Sequence, residues 1–293
     1  MDNFRTDLAM EARELWCRDR KISTEPEGVL HSQRERDGVS VTTVEIRSKA
    51  GAEALGKPEG RYVTLEVDGV QRRERDAFPR TVRAIAEELG AFLKEIPEGE
   101  LVLVAGLGNR FITSDALGPG THRHVLVTRH LIEQMPDQFG YLRPVASLAA
   151  EVLGNTGVES GEVVRSVCQT ISPSCVIAVD ALASRSMDRL CRTVQLSNVG
   201  IAPGSGVGNH RFALDQKSLG VPVIAVGVPT VVDAAALCAD LTGVAPAERG
   251  RGLMVTPKDI DQQVSDLSRL LGYGISLALQ PSMTVAELEL LLG

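Results

Sequence analysis

Three short apolar runs, each rich in β-branched residues and followed within a few residues by polar or glycine-containing sequence, constrain this chain more than any other feature. They are Leu101–Ala105, Cys175–Val179 and Val221–Val226. Each is too short for a helix. Each is apolar throughout rather than at alternate positions, which is the pattern of strands buried on both faces in a parallel sheet. Phe78, Val82, Ile85, Leu89, Phe92 and Ile96 recur at steps of three and four and predict an amphipathic helix. Ile260, Val264, Leu267, Leu271, Ile275 and Ala278 predict a second, and a helical stretch is expected from about Pro119 to Met135. Thr230–Asp233 resembles a capped helix start. This alternation predicts an α/β fold, a doubly wound and mainly parallel sheet flanked by helices. Val39–Ile46 and Arg61–Val67 alternate polar and apolar residues as half-buried strands do, and Thr193–Leu196 reads as a shorter strand. Nothing in the pattern cuts the chain into two independent domains.

Composition narrows the classes. Hydrophobic residues are 43% of the chain and aromatics 3%, so the core must be aliphatic and no surface for stacking bases is expected. The net charge of −7, from 31 basic and 38 acidic residues, argues against direct binding to nucleic acid, which needs a basic face. Cys17, Cys168, Cys175, Cys191 and Cys238 are odd in number and lack a C-x-x-C pair, as expected for reduced thiols of a cytoplasmic protein. No apolar run reaches membrane-spanning length, and Met1–Trp16 has no apolar signal core. The stretch from Asp2 to Asp37 is charged and weakly periodic, and is expected to be partly mobile.

Two aspartates fall where chemistry is expected. Asp115 lies six residues after Asn109, between a buried strand and a helical stretch. Asp180 directly follows the run Cys175–Val179. Ligands of open α/β sheets bind outside the carboxyl ends of the strands. Two carboxylates brought together there cannot both ionise cheaply, which supplies an acid and a base for attack of water on a peptide. Each aspartate can equally cap a following helix, and spacing alone favours that use. Gly106-Leu107-Gly108 has Phe111 where a dinucleotide fingerprint needs its third glycine. Gly204-Ser205-Gly206-Val207-Gly208-Asn209 lacks the Gly-Lys-Ser/Thr ending of a phosphate loop. The first segment therefore reads as a tight turn, while the second could approach a ligand through its backbone or simply turn. His122, His124 and His130 do not share one helix face, so no metal site is expected.

The chain resembles the germination proteases in a series of ordered blocks. They include Thr6-Asp7-Leu8-Ala9-Met10-Glu11-Ala12, Gly106-Leu107-Gly108-Asn109, Thr113-Ser114-Asp115-Ala116-Leu117-Gly118-Pro119 and Val179-Asp180-Ala181-Leu182-Ala183. Pro203–Asn209, Gly220–Ala234 and Val255–Asp261 continue the match. The resemblance implies a homotetrameric aspartic-type endopeptidase of the spore core that degrades small acid-soluble, DNA-protecting spore proteins during germination. It implies Asp115 and Asp180 as catalytic residues and no cofactor. Independently, the loops around Gly108–Asp115, Asp180–Arg185 and Gly204–Asn209 are expected to form a crevice at one sheet edge, with Gly108, Asn109, Gly204, Gly206, Gly208 and Asn209 along the substrate. The resemblance also implies a fold similar to the hydrogenase-maturation endopeptidases, with N-terminal β additions. Thr6-Asp7-Leu8-Ala9 has the arrangement at which family substrates are cut, so residues 1–7 are expected to be a propeptide, released between Asp7 and Leu8, with 8–293 as one peptidase domain. Thr6 and Asp7 could instead cap a helix holding Leu8, Glu11, Ala12 and Leu15. A metal-dependent peptidase of the hydrogenase-maturation kind and a non-enzymatic module that binds spore proteins stay open as alternatives. Thr113-Ser114-Asp115 departs from the Thr-Pro-Asp usual in the family, and Leu279-Gln280-Pro281 from its Leu-His-Pro.

Overall fold

In the computed structural model the three apolar runs become the middle of one mixed sheet. Residues 6–202, 212–242 and 252–292 are described. In chain order the strands are β1 (Val29–Arg36), β2 (Val39–Ile46), β3 (Gly60–Glu66), β4 (Val102–Leu107), β5 (Val145–Ala150), β6 (Cys175–Ser184), β7 (Thr193–Ser197), β8 (Val223–Asp233) and β9 (Met254–Val255). Across the sheet they lie β1-β2-β3-β7-β8-β6-β4-β5, with β9 paired to β8. β8, β6, β4 and β5 form a parallel half. β1, β2, β3 and β7 form an antiparallel half that joins it through β7 and β8.

Period-two alternation sends the parallel strands' side chains into two apolar layers. Val102, Val104, Cys175, Ile177, Val179, Ile224 and Val226 join the layer beneath helices Ala77–Leu93 and Ile260–Leu279. Leu103, Ala105, Leu107, Val176, Ala178 and Val223 face the other way, where helix Ser160–Ile171 buries Val164 and Cys168. Helices on both faces make the sheet doubly wound. A third cluster covers the antiparallel half, where Leu8, Ala9 and Met10 pack against Val44, Ile46 and Tyr62.

Strand order reverses at β4, with β5 on one side and β6 and β8 on the other. The connection from β4 to β5 runs through helices Leu117–His122 and Arg129–Gln134, and its Leu117, Val125 and Leu126 join the first layer. That from β5 to β6 crosses the opposite face through Ser160–Ile171. Connections diverging in this way open a crevice at the carboxyl ends of β4 and β6.

Several local expectations yield to tertiary structure. The single stretch Pro119–Met135 is two short helices, because the segment between them leaves the helix to bury Val125, Leu126 and Thr128. There Ser276 Oγ accepts the Leu126 N–H at 2.9 Å, and Thr128 Oγ1 accepts that of Val145 at 2.9 Å. β6 does not end before Asp180 but continues to Ser184, held by its pairing with β8. Thr230–Asp233 lies in β8, not in a helix, and only Asp233 caps: its Oδ1 accepts Ala235 N–H at 2.8 Å and Ala236 N–H at 3.0 Å. The charged N-terminal stretch is ordered over helix Ala9–Arg20 and β1.

Candidate active site

The loop leaving β4 folds back so closely on that strand that only glycine fits at two positions. Gly108 has a φ of +118°, and a Cβ there would lie 2.1 Å from the Asp115 carbonyl oxygen. A Cβ on Gly118 would meet the Leu107 carbonyl at 2.2 Å and the Val179 carbonyl at 2.6 Å. These contacts seat Asp115 against the end of β4 and bring its loop onto β6. Asp115 closes the 3-10 turn Thr113–Asp115, whose Ser114 carbonyl accepts the Thr230 hydroxyl of β8 at 2.6 Å. Its side chain is half-buried, and its Oδ2 accepts the Asn109 N–H at 2.9 Å.

Asp180 follows Val176 and Ala178 on one face of β6. The next residue of that row, Leu182, packs in the N-terminal cluster, so Asp180 interrupts an otherwise apolar row between two clusters. Pairing of β4 with β6 ends at Gly106 and Val179, which makes Asp180 the first residue of β6 beyond β4. It is 3% exposed, and its Oδ1 accepts the Ala181 N–H at 2.9 Å. More strand follows it rather than a helix, so it caps none. Asp115 and Asp180 therefore stand at the same edge of the sheet, Asp115 in the turn that follows β4 and Asp180 on the neighbouring β6, at the reversal point.

The other expected site residues divide. Asn109 gives its N–H to Asp115, and its Oδ1 accepts Phe111 N–H at 3.0 Å and Asn155 Nδ2–H at 2.8 Å. These groups hold the loop. Gly108 likewise closes on Asp115. Gly204, Gly206, Gly208 and Asn209 lie outside the described residues, as do residues 1–5 of the expected propeptide. Asp7 and Leu8 are anchored firmly. Asp7 N–H donates to the Ala183 carbonyl at 2.9 Å, and its Oδ2 accepts Ala183 N–H at 2.8 Å. Leu8 is fully buried. The carboxylate of Asp7 thus docks on β6 instead of capping helix Ala9–Arg20, and the segment is not the mobile one that its place in the sequence suggested.

A cluster beside Asp115 escaped the sequence reading. Glu151 follows β5, and its carboxylate receives Arg110 Nε–H and, at 3.0 Å, Asn155 Nδ2–H. Burial pushes its pKa up, but the bonds from Arg110 and Asn155 outweigh burial and hold it below the ordinary carboxylate value. No local motif marks these residues, because only the parallel pairing of β4 with β5 brings them together.

His122 Nδ1 lies 2.8 Å from Ser147 Oγ. Burial lowers the pKa of both His122 and His124, favouring neutral imidazoles. Among the described residues no group of three or more His, Cys, Asp or Glu is placed to hold a metal ion, and no helix is long and apolar enough to cross a membrane. A cleft of about 450 Å³ opens past the end of β6, lined by Glu11, Glu14, Arg18 and Arg185 with Leu237 and Leu241; neither Asp115 nor Asp180 lines it.

One solved structure similar to the chain is the NiFe hydrogenase maturation protease HycI from Thermococcus kodakarensis KOD1, at 14% identity and a TM-score of 0.36, covering 64% of this chain and 98% of that one. A germination protease of Clostridium perfringens is 39% identical over 99% of both chains. That of Caldanaerobacter subterraneus subsp. tengcongensis is 39% identical over 99% of this chain and 98% of its own. That of Bacillus subtilis is 44% identical over 81% of this chain and 65% of its own. The sequence profile of the family described as germination protease matches residues 9–245, which take in both aspartates and the turns that hold them. By this match and by identity along almost its whole length, the chain belongs to the germination protease family and is a peptidase.

Proposed function

We propose that this peptidase is an aspartic-type endopeptidase in which Asp115 and Asp180 divide the work. The observation that supports the reading is their placement at one sheet edge, Asp115 in the turn after β4 and Asp180 on the adjacent parallel strand β6, where the connections diverge. Asp115, half-buried, acts as the base that takes a proton from the attacking water. Asp180, 3% exposed, acts as the acid. Water adds across the peptide carbonyl, the C–N bond breaks, and the departing amine leaves with the proton from Asp180.

The substrates proposed are the small acid-soluble spore proteins, basic surfaces for which an acidic enzyme of net charge −7 is electrostatically suited. The acting form is proposed to be a homotetramer. Maturation by cleavage between Asp7 and Leu8 is proposed as well. Asp7 is bonded to Ala183, three residues along β6 from Asp180 and so about 10 Å away. With Leu8 fully buried, that bond must first be released from its seat.

Incubating the purified protein with a small acid-soluble spore protein and sequencing the fragments tests the reading. Defined internal cuts support it, and a stable uncleaved complex would replace it with a binding role. A chelator arm separates metal dependence: activity lost with chelator and restored by one metal would overturn the two-aspartate mechanism. N-terminal sequencing of the active form decides the maturation step.

A further inference from the structure

We propose that Asn155 and Glu151 are positioning residues for Asp115, acting through Asn109; this deepens the reading of Asp115 as base and rests on it. The chain of bonds starts at the carboxylate. Asn109 N–H donates to Asp115 Oδ2 at 2.9 Å, so the plane of that peptide aims the base. The side chain of the same residue fixes the plane. Its Oδ1 accepts Phe111 N–H at 3.0 Å, a bond within the loop, and Asn155 Nδ2–H at 2.8 Å, a bond to the short helix Leu153–Thr156 after β5.

Asn155 is oriented in turn. Its amide nitrogen also donates to Glu151 Oε2 at 3.0 Å. The other Glu151 oxygen takes the Arg110 guanidinium, and the Glu151 backbone carbonyl accepts Ser160 Oγ–H at 3.0 Å. Glu151 is 9% exposed. The chain therefore ends in two rigid elements, β5 and helix Ser160–Ile171.

At the tip of the loop the Ile112 N–H bonds the Asn109 carbonyl at 3.1 Å and the Asp115 N–H the Ile112 carbonyl at 2.8 Å, but packing adds little. Phe111 is 79% exposed and Ile112 53%, so its two large apolar side chains supply little packing. A polar brace from the segment after β5, Glu151 together with Asn155 of helix Leu153–Thr156, takes the place that a buried side chain would otherwise fill. The effect on chemistry follows from geometry: displacing a catalytic group by about 1 Å costs on the order of 100-fold in rate.

Two substitutions test this in the full-length protein. Asn155→Ala removes the donor. Asn155→Asp keeps the shape but turns an acceptor toward Asn109 Oδ1 and toward Glu151. For a peptide that the wild type cleaves, both are expected to lower kcat about tenfold while KM stays within about twofold. Amide hydrogen exchange at Asn109 is expected to quicken at least about tenfold in both. Wild-type turnover in Asn155→Asp, or unchanged exchange at Asn109, would overturn the proposal. Full activity in Asp115→Asn would instead remove the reading of Asp115 as base, and exchange at Asn109 would still decide whether the brace exists.

Discussion

The two halves of the sheet bury acid in different ways. In the antiparallel half, Glu88 reaches from helix Ala77–Leu93 and is only 2% exposed. Guanidinium groups of Arg34, Arg36 and Arg61, from β1 and β3, meet it there. In the parallel half, Asp115 and Asp180 accept the N–H groups of Asn109 and Ala181. Full counter-charges bind a carboxylate into the frame through charge-assisted bonds. A peptide N–H aims a carboxylate. The lesson is that burial alone does not mark an acid as functional; its partners do.

The sharpest way to break this comparison is to remove the charge in each half. Asp115→Asn and Asp180→Asn are each expected to lower turnover by at least about 100-fold, since an amide cannot carry the proton. Their melting temperatures should stay near that of the wild type. Cleavage assays paired with thermal melts check both parts, and near-normal turnover in either folded variant would return that aspartate to the frame.

Gly108→Ala comes next. The new Cβ would stand 2.1 Å from the Asp115 carbonyl oxygen, on a backbone with φ +118°. Strain of this kind costs about 3 kcal/mol, and its relief must move Asp115, so stability and turnover should fall together. Gly99→Ala is the control, because Gly99 also has positive φ, +86°, but open space around it. It should cost about 1 kcal/mol and leave turnover intact. Equal loss of activity in both would mean that the contact with Asp115 is not what matters.

Glu88→Ala should do the reverse of the aspartate variants. Removing one partner of a buried ion cluster typically costs several kcal/mol, but the three arginines are each about one-third exposed and can rehydrate, so about 2 kcal/mol is expected. Urea unfolding measures that loss, and turnover of the folded protein should be unchanged. A fall in turnover as large as that of Asp180→Asn would erase the distinction between the halves.

How legible each half was in the sequence follows from the same physics. β4, β6 and β8 could be found because apolar runs buried on both faces look like nothing else of that length. β2 and β3 could be found to within a residue from alternation and flanking glycines. The carboxyl edge of a parallel sheet makes Asp115 and Asp180 candidates, but spacing alone favours helix caps, and the resemblance to the germination proteases is what singles them out. What could not be read depends on distant partners. Asn155 and Glu151 matter only because β5 pairs with β4 in register, from Val102 with Val145 to Leu107 with Ala150. Thr230–Asp233 has the local signals of a helix, yet its pairing with β6 and β9 extends the strand. Thr6 and Asp7 look like caps, but Ala183 offers Asp7 a strand partner instead. Local propensity loses wherever a sheet edge supplies backbone bonds.

The smallest expected effect lies on the seam between the halves. Glu11, in the first turn of helix Ala9–Arg20, is 3% exposed. It accepts the Thr6 hydroxyl, Arg185 N–H at 2.8 Å and Ser186 N–H at 3.0 Å, so it ties the N-terminal segment to the end of β6. Burial outweighs these bonds and the nearby Arg189 charge, and raises its pKa above the ordinary 4.5. An acid with a raised folded-state pKa holds its proton more tightly folded than unfolded. Its stabilising contribution is complete below about 4.5 and is lost as pH rises through the raised value. Glu151, whose pKa is lowered, has the opposite sign, with stability present above 4.5 and lost as pH falls below it. Between pH 4.5 and 7 the melting temperature of the wild type should therefore drop by about 2 °C relative to Glu11→Gln, which cannot ionise. Thermal melts of both proteins across that window check the sign. A difference that stays level or grows in favour of the wild type would show that Glu11 is held as a carboxylate, and the seam would then belong with the clamped acid of the antiparallel half.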